Sequence, residues 1–195
     1  MKKLLLGSTL FLGLLNFQAH AEYVPQQSTT AQAAQYSRMS IADLQKAAKA
    51  GQAPAQFYLA TYYQKGTGVQ KDAKQAFSLF KAAADQGLTA AQLNVGRMLM
   101  EGHGTSKNEA LARSYFEKAA SHGDNRASFN LAMMEEQKKN YMGAYQWYEL
   151  STRDGMLDNR VMNLSETKKT ALAANLTPEQ IRQARDRADQ WIQAQ

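Results

Sequence analysis

The sequence contains no cysteine and few prolines or histidines. Its 195 residues include three prolines and three histidines. Without cysteine, the chain cannot form disulfides, cysteine-ligated zinc or iron–sulfur sites, or a thiol nucleophile. His103 lies between two glycines and His122 precedes Gly123, and neither has a second histidine or a carboxylate at the spacing of a metal site. We therefore predict that the protein binds no metal ion and needs no cofactor.

The chain also lacks a block of basic residues. Charged residues make up 21% of the sequence and hydrophobic residues 44%, and the formal net charge is +6. This composition is typical of a folded domain rather than a disordered chain. Basic and acidic residues are interspersed, as in Arg182 to Asp189, and no basic block is interleaved with aromatic side chains. The sequence thus predicts one folded domain without a nucleic-acid partner.

The first 21 residues have the three parts of a secretory signal peptide. Lys2 and Lys3 form a positive start, residues 4–17 are apolar, and Ala19-His20-Ala21 is an A-x-A cleavage site. A helix over residues 4–17 would span about 21 Å, short of the roughly 30 Å of a bilayer core. We expect cleavage after Ala21, no membrane span in the mature chain, and a periplasmic location, with secretion from the cell as the alternative.

Residues 22–39 differ in composition from the rest of the chain. They are rich in Gln, Ser, Thr and Ala and contain few large apolar residues. Such a segment cannot bury enough apolar surface to offset the entropy of ordering it. We therefore predict a flexible N-terminal tail.

From Ser40 onward the chain contains an internal repeat of 36 residues. Sequence similarity at a fixed period of this length indicates stacked supersecondary units. The third copy is four residues shorter than the others, and the missing residues fall in its loop. We predict a repeat domain over residues 40–195, which consists of a half-repeat 40–51, three repeats 55–87, 91–123 and 127–155, and C-terminal capping helices within 156–195.

Each repeat is predicted to be a pair of antiparallel helices. In the first unit, Ala55, Leu59 and Tyr63 form one apolar stripe at helical spacing. The G-x-G of residues 66–68 would end this helix and supply positive-φ positions for the reversal, and Asp72 would cap the second helix. The repeat positions with structural roles of this kind are Leu59, Gly66, Gly68, Phe80, Gly87, Gly96, Gly102, Gly104, Phe116, Gly123, Tyr148 and Gly155.

The same signals predict the other helix ends. Gly87 would stop the second helix of the first unit, and Thr89 with Gln92 would open the next pair. In the third unit the glycine loop is missing, and Asn140 is the predicted N-cap.

After Gly155 the repeat pattern decays. Residues 158–169 are predicted to form one more first helix, and residues 171–176 a loop. The segment Thr177-Pro178-Glu179-Gln180 has the cap, the N1 proline and the N3 glutamine of a helix start, and this last helix would end near Trp191. Its inward face would close the end of the stack, and consists of Ile181, Ala184, Ala188, Trp191 and Ile192.

These residues resemble the Sel-1-like repeat, a 36-residue relative of the tetratricopeptide repeat. The family pattern is met in residues 55–87, including Val69 and Asp72, whereas the second unit has Thr105 and Asn108 there and the third unit lacks the G-x-G-V loop. The resemblance implies an all-α fold, a right-handed α-solenoid of antiparallel helix pairs with a concave face that binds partners. It also implies a role as a protein-interaction adaptor or, in some exported bacterial members, as an immunity protein that neutralises a toxic effector.

Catalytic motifs are weak in this sequence. Ser78 with Lys81 and Ser165 with Lys168 match S-x-x-K, but the S-D-N and K-T-G companions of penicillin-recognising enzymes are absent from the sequence. A cysteine-rich branch of Sel-1-like proteins is linked to penicillin binding, from which this chain departs by having no cysteine. We predict a protein that is not an enzyme, and keep a penicillin-interacting hydrolase as the alternative from another class.

The predicted function therefore depends on a binding surface. The resemblance implies that the sides of the first helices opposite the apolar stripe line the concave face, where aromatic, Arg and Met side chains favour binding. The candidate residues are Tyr58, Thr61, Tyr62, Lys65, Asn94, Arg97, Met98, Glu101, Asn130 and Met133, with Gln137 at the end of the row. For Tyr62 and Met98 the alternative is that they pack against the neighbouring first helix. We expect a non-catalytic adaptor of the cell envelope that binds a protein or peptide, with the immunity role as the alternative.

Overall fold

The chain folds into a row of antiparallel helix pairs. The structure, a computed structural model, describes residues 34–153 and 158–195, so the predicted signal peptide, most of the predicted tail and Gly155 lie outside the described residues. The helices are α1 (Ile41–Lys49), α2 (Ala53–Lys65), α3 (Ala73–Asp85), α4 (Thr89–Glu101), α5 (Glu109–Ser121), α6 (Asn125–Gln137), α7 (Tyr141–Arg153), α8 (Asn159–Ala173) and α9 (Pro178–Gln193). From α1 to α8 each helix packs against its neighbours in sequence, and α6 also packs against α8. The last helix, α9, packs against α7 instead of α8. The predicted all-α fold is confirmed.

The first helices of the pairs are α2, α4, α6 and α8, and the second helices are α1, α3, α5, α7 and α9. Asp72, Asn108 and Asn140 cap three successive second helices, because each side chain accepts a hydrogen bond from the backbone N–H three residues further on, at 2.9, 2.9 and 3.2 Å. Asp124 and Asp158 cap the first helices α6 and α8. One start differs from the prediction: α4 begins at Thr89 itself, after Leu88, without a side-chain cap.

Glycines in the loops allow neighbouring pairs to approach closely. Gly66 and Gly102 end α2 and α4 in the left-handed region, at φ of 75° and 71°. Gly104, at φ 72°, lies so close to the start of α3 that an added Cβ would come within 2.0 Å of the Ala73 carbonyl oxygen. In the third unit Lys139 takes the positive-φ position, at 59°.

The core lies between the first and second helices. Alanines make up about half of the buried apolar residues, and each unit has one fully buried aromatic side chain: Phe80, Phe116 and Tyr148, each at most 1% exposed. Gly96 makes room for the second of these rings, since a Cβ there would lie 2.5 Å from a Phe116 ring carbon. The aromatic positions predicted from the repeat thus form the centre of each unit.

The N-terminal end of the described chain begins before Ser40. Residues 34–37 form a helical turn, and Tyr36 and Met39 pack against the apolar cluster of α1 and α2. The Tyr36 hydroxyl donates a hydrogen bond to Gln52 at 3.0 Å. Apolar contacts to the repeat domain therefore extend into the last residues of the segment that composition assigns to the tail.

The C-terminal end departs from the prediction in two places. Helix α8 continues to Ala173, so the predicted loop 171–176 is shorter. In α9, Trp191 packs edge-on to Trp147 with a centroid distance of 4.8 Å, but Ile192 is 42% exposed rather than inward. Across the two described ranges, none of the helices combines the length and apolarity needed to cross a bilayer.

Candidate functional site

The first helices share one face that contains no fully buried residue. In each of them, residues spaced by four, three and four positions lie on one side, away from the apolar stripe. All sixteen residues of this surface, which we name the first-helix face, are half-buried or exposed. They are Pro54, Tyr58, Thr61 and Lys65 of α2; Ala90, Asn94, Arg97 and Glu101 of α4; Arg126, Asn130, Met133 and Gln137 of α6; and Arg160, Leu164, Thr167 and Ala171 of α8.

The candidate binding residues are placed on this face with two exceptions, Tyr62 and Met98. Lys65, Arg97 and Glu101 are exposed, and Met133 is 38% exposed. The other candidates on the face are half-buried: Tyr58, Thr61, Asn94 and Asn130.

Met98 is not available for binding. It is 2% exposed and belongs to the main apolar core. Met134, one repeat later, is also buried, whereas Tyr62, one repeat earlier, is half-buried. Met98 lies in α4 and Met134 in α6, and each of these helices follows another first helix in the chain. Helix α2, which contains Tyr62, follows no other first helix among the described residues. The position therefore packs between repeats, and Tyr62 is partly uncovered because it lies at the end of the row.

Three polar side chains on the face are held by their own helix. The amide groups of Asn94 and Asn130 donate to the backbone carbonyls of Ala90 and Arg126, each at 2.7 Å. Thr61 donates in the same manner to the carbonyl four residues before it, at 3.0 Å. These bonds fix the side-chain orientation before any partner binds, and fixed groups lose less entropy on binding.

The structure extends the face to residues that the sequence analysis did not include. Arg160 and Leu164 of α8 occupy the places of Arg126 and Asn130 of α6, and both are exposed. The N-caps Asp124 and Asp158 are 34 residues apart. This spacing is the sequence signal that could have aligned α8 with α6.

The side of the solenoid away from this face contains ion pairs that join helices. Glu149 of α7 is 7% exposed and binds Lys169 of α8 at 2.9 Å and Arg153 at 2.7 Å. Arg153 also pairs with Asp189 of α9. Burial of the Glu149 carboxyl disfavours ionisation, but the hydrogen bond and charge of Lys169, with Arg153, outweigh it, so the pKa of Glu149 is below its ordinary value. This cluster fastens the last three helices together.

The adjacent carboxylates of Glu135 and Glu136 bind different partners. Glu135 pairs with Arg113 of α5, and Glu136 accepts from Tyr148 at 2.8 Å and from Lys168 at 3.0 Å. Burial and hydrogen bonding to Glu136 raise the pKa of the Tyr148 phenol, so it stays protonated as a donor. Through these contacts α6 is linked to α5, α7 and α8.

The serine–lysine motifs do not form paired sites. Ser78 is exposed on α3, where Lys81 binds Asp85 at 2.6 Å. Ser165 is fully buried and hydrogen-bonded to Ser151 at 2.6 Å. In neither motif does the lysine hydrogen-bond to the serine within the described structure.

His122 lies at a helix end and His103 lies in a loop. His122 is the C-cap of α5, with its Nδ1 atom 2.7 Å from the Lys118 carbonyl oxygen, and His103 is exposed in the loop after Gly102. Within residues 34–153 and 158–195, no three His, Asp or Glu side chains come together as a metal site would require.

Known families and structures share this repeat. The Sel1 repeat model matches residues 53–88, 89–124 and 125–156. A Sel1 repeat protein from Oxalobacter formigenes is 31% identical with a TM-score of 0.52, over 62% of this chain and 56% of that one. The protein c5321, a protective antigen present in uropathogenic Escherichia coli strains and displaying an SLR fold, is 25% identical with a TM-score of 0.56, over 78% of this chain and 40% of that one.

The matched region is about half the length of either solved protein. No curated protein matches the chain.

Proposed function

Because the chain belongs to the Sel1 repeat family, whose repeats generally mediate protein–protein interaction, we propose that it is a non-catalytic adaptor of the bacterial cell envelope. It binds a protein or peptide on the first-helix face. The observation that carries the proposal is this face itself: sixteen half-buried or exposed positions in four successive first helices, on the side away from their apolar stripe.

The chemistry of the face supports a binding role. Tyr58, Arg97 and Met133 belong to residue types that are enriched in protein interfaces. Asn94 and Asn130 repeat the same polar group at the same place in successive units. A repeated and preoriented set of side chains fits a partner that extends along several repeats.

The envelope location rests on the N-terminal sequence. Residues 1–21 have the charge, apolar stretch and cleavage site of an export signal. Cell fractionation and N-terminal sequencing test this part of the proposal: we expect the protein in the periplasmic fraction with Glu22 as its first residue. An intact N-terminus in the cytoplasmic fraction would contradict the envelope location.

A pull-down tests the binding role. Protein purified from cells expressing the full sequence serves as bait in an envelope extract of the source cells. It is compared with the Tyr58→Ala/Arg97→Glu double variant and with a control, Lys74→Glu/Ser78→Ala, which changes two exposed residues of α3. Circular dichroism establishes that all three are folded.

We expect a partner that the wild type and the control recover and the face variant loses. The identity of that partner then distinguishes a resident envelope protein from a toxic effector. A partner that all three forms recover equally would contradict binding on the first-helix face. Covalent labelling by a β-lactam that Ser78→Ala abolishes would contradict the non-catalytic role.

A further inference from the structure

The first-helix face has an excess of positive charge. Lys65, Arg97 and Arg160 are exposed there, and none of them forms an ion pair with another described residue. Glu101 is the single carboxylate among the sixteen residues of the face. Unpaired cations on one face favour an anionic partner by complementarity and increase its rate of association.

Carboxylates next to the face do not neutralise these cations. Asp124 is fully buried and binds the guanidinium of Arg126 at 2.6 and 2.9 Å. Glu136 is bound by Lys168 and Tyr148. Asp158, the N-cap of α8, accepts from the backbone N–H groups of Arg160 and Val161. On the face itself, the four cations Lys65, Arg97, Arg126 and Arg160 outnumber the single carboxylate, Glu101.

The asparagines of the face supply hydrogen-bond acceptors. Because the side-chain NH₂ groups of Asn94 and Asn130 donate to their own helices, their Oδ1 atoms remain to accept, and neither oxygen accepts a bond from another described residue. An extended polypeptide presents backbone N–H groups along one edge at regular intervals. A nucleic-acid backbone presents phosphate and sugar oxygens and no such N–H groups. The asparagines thus favour a polypeptide among anionic partners.

Apolar side chains complete the face. Met133 is 38% exposed and Leu164 is 46% exposed, while Tyr58 is half-buried at the other end. Methionine and aromatic side chains are enriched in protein interfaces. A partner that covers them would carry apolar side chains in addition to its negative charge.

We infer that the ligand of the first-helix face is an extended acidic segment of a protein that also carries apolar side chains. This inference rests on the proposed function. Its carboxylates pair with Lys65, Arg97 and Arg160, its backbone N–H groups donate to Asn94 and Asn130, and its apolar residues cover Met133 and Leu164.

Peptide selection tests the inference. A phage library of random decapeptides is selected on protein purified from cells expressing the full sequence, and the enriched peptides are synthesised with a fluorescein label. Fluorescence anisotropy then measures their affinity for the wild type, for Arg97→Glu/Arg160→Glu, and for the control Lys74→Glu/Arg187→Glu. The control reverses two exposed cations on the second helices α3 and α9, so the two variants have the same net charge.

We expect enrichment of Asp and Glu together with apolar residues. Affinity should fall at least tenfold in Arg97→Glu/Arg160→Glu, change less than twofold in the control, and decrease as salt screens the charges. A Met133→Ala variant should weaken the same peptides without changing their salt dependence.

Four results would overturn the inference. Enriched peptides without an excess of acidic residues would show that the ligand has a different chemistry. If Tyr58→Ala abolished the binding of those peptides, the first-helix face would still be the binding surface. Equal losses in both charge variants would indicate net charge alone. Equal affinity for a single-stranded DNA decamer would indicate a general polyanion site. No enriched peptide would exclude a linear segment, and the pull-down would still decide whether the protein binds a partner.

Discussion

Single residues decide how closely the helix pairs of this solenoid approach. Gly104 has a positive φ, and the start of α3 occupies the space where its Cβ would lie. Gly87 also has a positive φ, of 87°, but the space around it is open. Gly87 is therefore favoured only by its backbone conformation, whereas Gly104 is favoured both by its conformation and by the lack of space for a side chain.

We predict different costs for alanine at these two glycines. Gly87→Ala should destabilise the protein by about 1–2 kcal/mol, which is the cost of a left-handed backbone for an L-residue. Gly104→Ala should cost about 1–3 kcal/mol more, because the Cβ requires the backbone of Ala73 to move. Urea denaturation measures both. Equal free energies of unfolding for the two variants would contradict the close approach.

The aromatic centre of each unit gives a second prediction at this scale. Phe80 is 1% exposed and packs edge-on to Phe57 at 5.5 Å. Phe80→Ala should cost about 3–5 kcal/mol by cavity formation, whereas Arg97→Ala should change stability by less than about 0.5 kcal/mol. Thermal denaturation of both variants tests this difference. A large loss of stability in Arg97→Ala would mean that Arg97 supports the fold rather than a partner.

The sequence predicted the buried aromatic residues but left two roles open for Met98, partner binding or packing against the neighbouring first helix. Aromatic residues recur at equivalent positions and coincide with the apolar stripe, so Phe80, Phe116 and Tyr148 follow from the repeat. Met98 lies at the margin of that stripe, where burial depends on whether a neighbouring repeat covers it. Helical periodicity describes one helix and contains no information on that neighbour.

At the scale of the element, capping residues set the boundaries of the helix pairs. Asp72, Asn108 and Asn140 are spaced by 36 and 32 residues and all three cap second helices, so the shorter third unit could be predicted together with its boundary. Helix α8 was harder to predict. Its last residues, Ala171 to Ala173, lie in a stretch without the glycine that ends α2 and α4, and the start of α9 was the clearer signal.

The cluster around Glu149 makes the attachment of α8 and α9 sensitive to acid. Since the pKa of Glu149 is lower in the folded chain than in the unfolded chain, its contribution is fully present above the unfolded value of about 4.3 and is lost as the pH falls through the folded value. Glu149→Gln should lower the free energy of unfolding by about 2 kcal/mol at pH 7. The difference from the wild type should shrink as the pH falls below about 4.3.

Glu166 provides the matched control for this prediction. It also pairs with Lys169, at 2.8 Å, but its side chain is 59% exposed. Glu166→Gln should therefore change stability by less than about 1 kcal/mol, as is usual for exposed pairs. Urea denaturation between pH 3 and pH 8 compares the three proteins. A Glu149→Gln effect that is independent of pH would contradict the role of its charge.

At the scale of the whole molecule, the two sides of the solenoid differ in what holds their polar groups. On the side away from the first-helix face, charged residues such as Glu149 and Lys169 bind one another across helices and stabilise the stack. On the first-helix face, Lys65, Arg97 and Arg160 have no such partners among the described residues. The first-helix face therefore combines unpaired cations with free asparagine acceptors and exposed apolar side chains.

Site-specific photo-crosslinking in the source cells shows directly whether a protein partner contacts the first-helix face. A photoreactive amino acid replaces Arg97 or Met133 on the face, and Lys74 or Lys118 on the second helices α3 and α5. All four positions are exposed. We predict a crosslinked partner from positions 97 and 133 and none from positions 74 and 118. Crosslinks from the second helices alone would contradict the account.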